Sequence, residues 1–186
     1  MNAPSVLIPT MISTTRATGD DGGEMQFKPG NSAGEFELAS RQFVPQPRDK
    51  VFEFFSDAFN LEALTPPWLN FAVLNPAPIR MAAGVLIDYR LRLHGIPLTW
   101  QSRIEVWEPS VRFVDTQTRG PYRRWHHEHV FEDGDGGTWC HDIVHYSVPG
   151  GSFVERYFVR PDLVKIFAYR QARLRELLPP ANLRSF

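Results

Sequence analysis

Six extended segments follow one another between Phe71 and Val148: FAVLN, VLIDYRLRLHG, LTWQSRIEVWE, VRFVDTQTRG, RRWHHEHVFE and GTWCHDIVHYSV. Their separators are turn formers, namely Gly95–Ile96–Pro97, Pro109–Ser110, Gly120–Pro121 and Gly134–Asp135–Gly136–Gly137. Strands joined at hairpin spacing make an antiparallel meander. One helical segment follows, from about Asp162 to Leu178, with Leu163, Ile166, Phe167, Arg170, Leu174 and Leu177 on a single face and Arg170 near its middle. Pro161 suits its start and Pro179–Pro180 ends it. A long helix with one apolar side needs a sheet to lie on, so the meander is expected to curl around it.

Upstream, EFELASRQFV alternates from Glu35 to Val44, with Phe36, Leu38 and Ser40 on one face, and reads as a first strand. Pro45 and Pro47 end it. Pro47 then suits the first position of a helix over RDKVFEFFSDAF, where Val51, Phe54, Phe55 and Ala58 form an apolar stripe. Asn60 can cap a second short helix, LEAL, which Thr65–Pro66–Pro67 stops by removing donors and disfavouring helical angles. The expected fold is α+β: a curved seven-stranded antiparallel sheet wrapped around a long C-terminal helix, with two short helices after strand 1. Residues 1–34 are rich in Gly, Ser, Thr and Pro without either period, and are expected to be a flexible tail contributing little to the core. Residues 35–180 then form a single domain.

Composition excludes several partners. With 20 basic against 21 acidic residues the net charge is -1, so no basic field is available for nucleic acid or anionic lipid. The single cysteine, Cys140, rules out an intrachain disulfide and a cysteine-rich zinc site, fits a reducing, cytoplasmic setting, and reads as a small buried residue. MNAPSVLIPTMIS lacks a basic region before its apolar run, so no secretory signal is expected. No apolar run reaches the roughly 18 residues of a spanning helix, so no membrane insertion is expected.

The histidines are concentrated: five of the six lie between Arg112 and Tyr146. Alternation puts Trp125, His127, His129 and Phe131 on one face of their strand and Arg124, His126, Glu128 and Val130 on the other. Elsewhere the inward face is clear where Val85, Ile87, Tyr89, Leu91 and Leu93 fall together, and where Leu98, Trp100, Ser102, Ile104 and Val106 do. In the segments carrying Phe113, Asp115 and Gln117, and Thr138, Cys140, Asp142, Val144 and Tyr146, the pattern alone does not choose a face.

The order of elements resembles the START-related helix-grip superfamily (SRPBCC), whose members include polyketide cyclase/dehydrase-like proteins and pollen-allergen-type ligand binders. The likeness spans roughly residues 35–178 and is carried by Asn60–Leu61–Glu62 through Thr65–Pro66, Asp88–Tyr89, Gly95, Trp100, Phe113 with Asp115, and Gly120–Pro121. It continues through Trp125-x-His127-x-His129-x-Phe131, Gly137–Thr138, Asp142, Tyr146 and Tyr169–Arg170. The resemblance implies a cavity for an apolar or amphipathic molecule between sheet and helix. It also implies that Asp115, Gln117, His127, His129, Asp142 and Tyr146 face inward, with Arg170 opposite on the helix.

On that basis Tyr89, Trp100, Phe113, Trp125 and Phe167 are expected as cavity walls, and Asp115, Gln117, His127, His129, Asp142, Tyr146 and Arg170 as its polar end. Buried ionisable groups are costly unless paired, so the polar set should form a hydrogen-bonded network, reach a ligand, or both. The rival to simple binding is a cyclase/dehydratase-type enzyme, with His127, His129, Asp115 and Asp142 as catalytic candidates, because imidazole oriented by a carboxylate exchanges protons near neutral pH. A second rival is an interaction or homodimer module using Trp107 and Trp139. His127 and His129 could chelate one ion with Asp115 or Asp142, but His-x-His on a strand is common without metal and sequence shows no convergence of the carboxylate. No cofactor or metal is expected.

Overall fold

The computed structural model describes residues 15–18 and 23–180. Its strands are β1 (Thr15–Thr18), β2 (Glu24–Pro29), β3 (Glu35–Val44), β4 (Ala72–Val73), β5 (Leu86–Leu93), β6 (Ile96–Glu108), β7 (Arg112–Arg119), β8 (Arg124–Gly134) and β9 (Gly137–Ser147). Helices α1 (Arg48–Ser56) and α2 (Asn60–Leu64) follow β3; α3 (Gly151–Val154), a π-helical turn (Glu155–Val159) and the long α4 (Arg160–Leu177) end the described chain. All strand pairs are antiparallel, in the order β1-β2-β3-β9-β8-β7-β6-β5-β4. This is the expected α+β arrangement, a curved sheet with the long helix against its concave side.

Turn chemistry sets the register. Leu93 pairs with Ile96, leaving the two-residue turn His94–Gly95, in which both residues have positive φ (50° and 82°). That is the hairpin connection whose twist matches its strands, and glycine takes the second position without strain. Strand β6 is long enough to bend, and register shifts at Gln101/Ser102 and Ile104/Val106 are where it does so, curling the sheet around α4.

One expectation is overturned. Residues 24–29 are an integral strand rather than tail: β2 pairs with β3, and Met25 and Phe27 are buried with Leu38, Val144, Tyr146 and Phe167. Their period-two spacing turns both toward the helix, where they cover apolar surface that β3 and β9 would otherwise leave to water. The expected tail residues 1–14 and 19–22 lie outside those described. Two smaller differences also have packing causes. In α1 the buried pair is Val51 and Phe52, with Phe52 against Trp107, Phe113 and Phe131, while Phe54 and Phe55 turn toward the cavity. Trp107 and Trp139 are not an exposed patch: Trp107 packs on Phe52 and Phe113, and Trp139 lies between Phe43 and the Arg41 guanidinium.

No helix among the described residues is long and apolar enough to cross a membrane. Cys140 is a buried free thiol whose ionisation burial pushes up to about 12, an inert packing residue as the sequence suggested.

Candidate functional site

A cavity of about 230 Å³ lies between the concave face and α4. Its walls are apolar and aromatic, including Phe55, Ile87, Tyr89, Trp100, Trp125 and Phe167, and its polar end is made by Ser102, Asp115, His127, His129 and Arg170.

Register explains how that end assembles. On β8 the side chains of Trp125, His127, His129 and Phe131 all point inward and are buried. Asp115 of β7 is paired directly with His127 and sits diagonally from His129; Asp142 of β9 is paired directly with His129 and sits diagonally from His127. Directly opposed and diagonal positions are the ones whose side chains meet across a sheet, so each imidazole is flanked by a carboxylate from both neighbouring strands. Arg170 comes down from the middle of α4.

The distances are short. His127 Nε2 donates to Asp142 Oδ1 at 2.9 Å, and His129 Nδ1 lies 2.9 Å from the same oxygen. His129 Nε2 is 3.2 Å from Asp115 Oδ2, whereas His127 Nδ1 is 3.8 Å from it, beyond hydrogen-bonding reach. The two rings are 3.8 Å apart, and Phe113 stacks on His129 at 4.1 Å. Arg170 Nη2 is 3.4 Å from Asp142 Oδ1 and from His129 Nδ1. Ser102 Oγ donates to Asp115 Oδ1 at 3.1 Å and accepts from Trp100 Nε1 at 3.0 Å. One buried atom of the cluster is left over: Arg170 Nε has no hydrogen-bond partner. His127 hydrogen-bonds through Nε2, and its Nδ1 has only the 3.8 Å approach of Asp115.

Charge states follow from these contacts. Burial works to raise the Asp142 carboxyl, but the Arg170 charge and the hydrogen bonds from His127 and His129 outweigh it and hold the group well below its ordinary value. Asp115 is likewise lowered against burial, by the His129 hydrogen bond and the adjacent imidazoles. Burial, reinforced by neighbouring His129, depresses His127 to about 4, so this ring is neutral near pH 7. A neutral His127 donating through Nε2 carries its lone pair on Nδ1.

Not every expected residue reaches the cavity. Gln117 spends both ends of its amide on the Tyr122 backbone, donating to the carbonyl at 2.7 Å and accepting from the N–H at 3.2 Å, and so fastens the β7–β8 connection. Asp142 lies behind the imidazoles, where it orients them. Tyr146 is fully buried and donates to Glu155 Oε1 at 2.9 Å. Arg160 clamps the same carboxylate through Nε (2.8 Å) and Nη2 (3.0 Å), so Tyr146 anchors the π-helical turn that leads into α4. Tyr89, Trp100, Phe113, Asp115, Trp125, His127, His129, Phe167 and Arg170 do line the cavity. Sequence reading left out Ser102 as a site residue, although its alternation with Trp100 and Ile104 already placed it inward, and it missed Glu155 altogether. The convex-face histidines serve surface pairs: His141 with Glu132 at 3.0 Å, His126 with Glu105 at 3.6 Å and His145 with Glu37 at 3.8 Å.

A curved antiparallel sheet gripping a long helix across an apolar cavity with one polar end defines the helix-grip class of START-related proteins. Within it, the chain matches the model of the family described as polyketide cyclase / dehydrase and lipid transport over residues 44–173, and belongs to that family. No curated protein matches it in sequence. Similar solved structures include a protein from Mycobacterium smegmatis (TM-score 0.60, 14% identity, 82% of this chain and 95% of that one covered). A major latex-like protein from Panax ginseng is also similar (0.61, 8%, 80% and 100%), as is the ZhuI aromatase/cyclase from Streptomyces (0.57, 15%, 79% and 98%). At these identities the likeness is one of fold.

Proposed function

We propose that this protein binds a small, largely apolar molecule in the cavity, with a polar oxygen of that molecule at the Asp115–His127–His129–Arg170 end. The observation that supports this most is an unpartnered buried donor, Arg170 Nε, on a side chain that lines the polar end of an otherwise apolar cavity. Buried polar groups are normally satisfied, and an acceptor oxygen on an amphipathic ligand would satisfy this donor without disturbing the network behind it. A reducing, cytoplasmic setting suits the buried free thiol. As a test, 2-naphthoic acid should quench Trp100 and Trp125 saturably at one per chain, binding at least about tenfold more tightly than its methyl ester because the carboxylate can accept from Arg170. Leu98→Trp, which fills the cavity from its wall, should abolish the quench. Equal affinity for acid and ester, or binding undiminished in the filled variant, would count against the reading.

A second reading, proton abstraction from an activated methylene as in a cyclase or dehydratase, is favoured by His127 alone. That ring is neutral, held by Asp142, and open at Nδ1 toward the cavity, which is the arrangement of a general base. It predicts that the metal-free protein accelerates hydrogen–deuterium exchange at the central methylene of 2-naphthoylacetone, and that His127→Gln slows this by roughly a hundredfold or more. Exchange at the buffer rate would exclude it.

A further inference from the structure

We propose that the cavity end of this cluster is a divalent transition-metal site, with His127 Nδ1, His129 Nε2 and Asp115 Oδ2 as protein ligands and its remaining positions open to the cavity. The proposal deepens the ligand-binding reading, since an ion there would receive the polar oxygen of the bound molecule.

Three features carry it. First, the donor atoms converge: all lie within 4.8 Å of one another, with 3.2 Å and 3.8 Å from the two nitrogens to the shared carboxylate oxygen. Ligands each about 2.0–2.1 Å from one ion stand roughly 3.0–3.4 Å apart, so the two contacts to the carboxylate need little movement. Second, the outer contacts are those of a metal centre. The far nitrogen of each imidazole is 2.9 Å from Asp142 Oδ1, which directs the other nitrogen toward the cavity, and the far oxygen of Asp115 is held by Ser102, itself held by Trp100. Carboxylate behind histidine and hydroxyl behind carboxylate are the second contacts that orient metal ligands. Third, the charges leave room for a cation. Asp115 and Asp142 face one guanidinium, Arg170, whose Nη2 lies 3.4 Å from Asp142 Oδ1 and from His129 Nδ1. Two imidazoles and a carboxylate with open positions suit Zn²⁺, Fe²⁺ or Co²⁺ rather than Mg²⁺ or Ca²⁺. An ion on His127 Nδ1 removes the base that proton abstraction needs, so the two uses of that atom exclude each other.

The test uses the full chain stripped with chelator and titrated with Co²⁺. One ion per chain is expected, with the visible absorption of imidazole-bound Co²⁺ and an X-ray absorption spectrum containing two imidazole scatterers. Asp115→Asn and His129→Gln, each checked for fold by circular dichroism, should weaken uptake by at least roughly tenfold, and His141→Gln on the convex face should not. No uptake, a spectrum with fewer than two imidazoles, or uptake that follows His141 instead of Asp115 would overturn the site. Should either variant fail to fold, the wild-type spectrum still decides. Failure of Co²⁺ to bind while 2-naphthoic acid still quenches would remove the ion and leave the cavity reading standing; loss of quenching with Co²⁺ retained would do the reverse.

Discussion

Arg170→Met is expected to destabilise the fold by about 3–5 kcal/mol, read from urea unfolding at pH 7. The guanidinium is buried in the middle of α4, 3.4 Å from Asp142 Oδ1, and its charge is what most opposes the burial penalty on that carboxylate. Methionine fills much the same space and keeps helix propensity, so the loss comes from a buried carboxylate deprived of its cation rather than from a void. That attribution has its own test. In Arg170→Met combined with Asp142→Asn, both charges are gone while the amide oxygen still accepts from His127 Nε2, so neither a lone buried charge nor an orphaned imidazole donor is left. The double variant should therefore recover most of the stability lost by the single one. Losses that simply add would mean that Arg170 acts through packing, for instance over the Phe55 ring at 5.3 Å, and not through its pairing with Asp142.

The position of that arginine was legible from sequence, because a charged residue in the centre of an apolar helical stripe must find a partner on whatever the stripe covers. The seven strands from Glu35 onward were legible for a similar reason, since alternation and turn residues are local properties. Pairing register is not local. That Asp115 and Asp142 flank the same two imidazoles depends on which residue of β7 and of β9 faces each residue of β8, and a slip of one position would have sent either aspartate to the convex face. Gln117 shows the limit: it shares a strand with Asp115, yet beyond the irregularity in β6 its neighbours are the Tyr122 backbone and not the cavity. Strand β2 escaped because its strand signal is two apolar residues, Met25 and Phe27, in a glycine-rich polar context, and only the surface offered by Leu38 and Val144 makes them core. Glu155 escaped because an acidic residue ahead of a helix reads as solvated; its burial requires Tyr146 and Arg160 to converge on it from separate elements.

Acid is expected to unfold the protein in two stages, and His127 accounts for the first. Its folded-state value of about 4 lies below the ordinary 6.5, so between those pH values the unfolded chain binds a proton that the native ring refuses. Stability therefore falls as pH drops through this window, by an amount on the order of 3 kcal/mol once pH 4 is reached. The groups facing the ring are His129 on its own strand, Asp115 and Asp142 on the strands to either side, and Phe167 from the helix. The two aspartates are depressed, so they contribute stability above the ordinary carboxylate range and lose it only as pH falls below that range. They supply the second stage. Urea midpoints measured from pH 7 to pH 3 should trace both, and His127→Gln, which cannot titrate, should flatten the curve between 6.5 and 4 while leaving the steeper loss below it. Because the ring is buried, the first stage should change little in 0.5 M salt, whereas the convex-face pairs of His126, His141 and His145 would be screened. A slope between pH 6.5 and 4 that survives His127→Gln, or that salt removes, would assign the effect to those surface histidines and free His127 from the role given to it in the cavity.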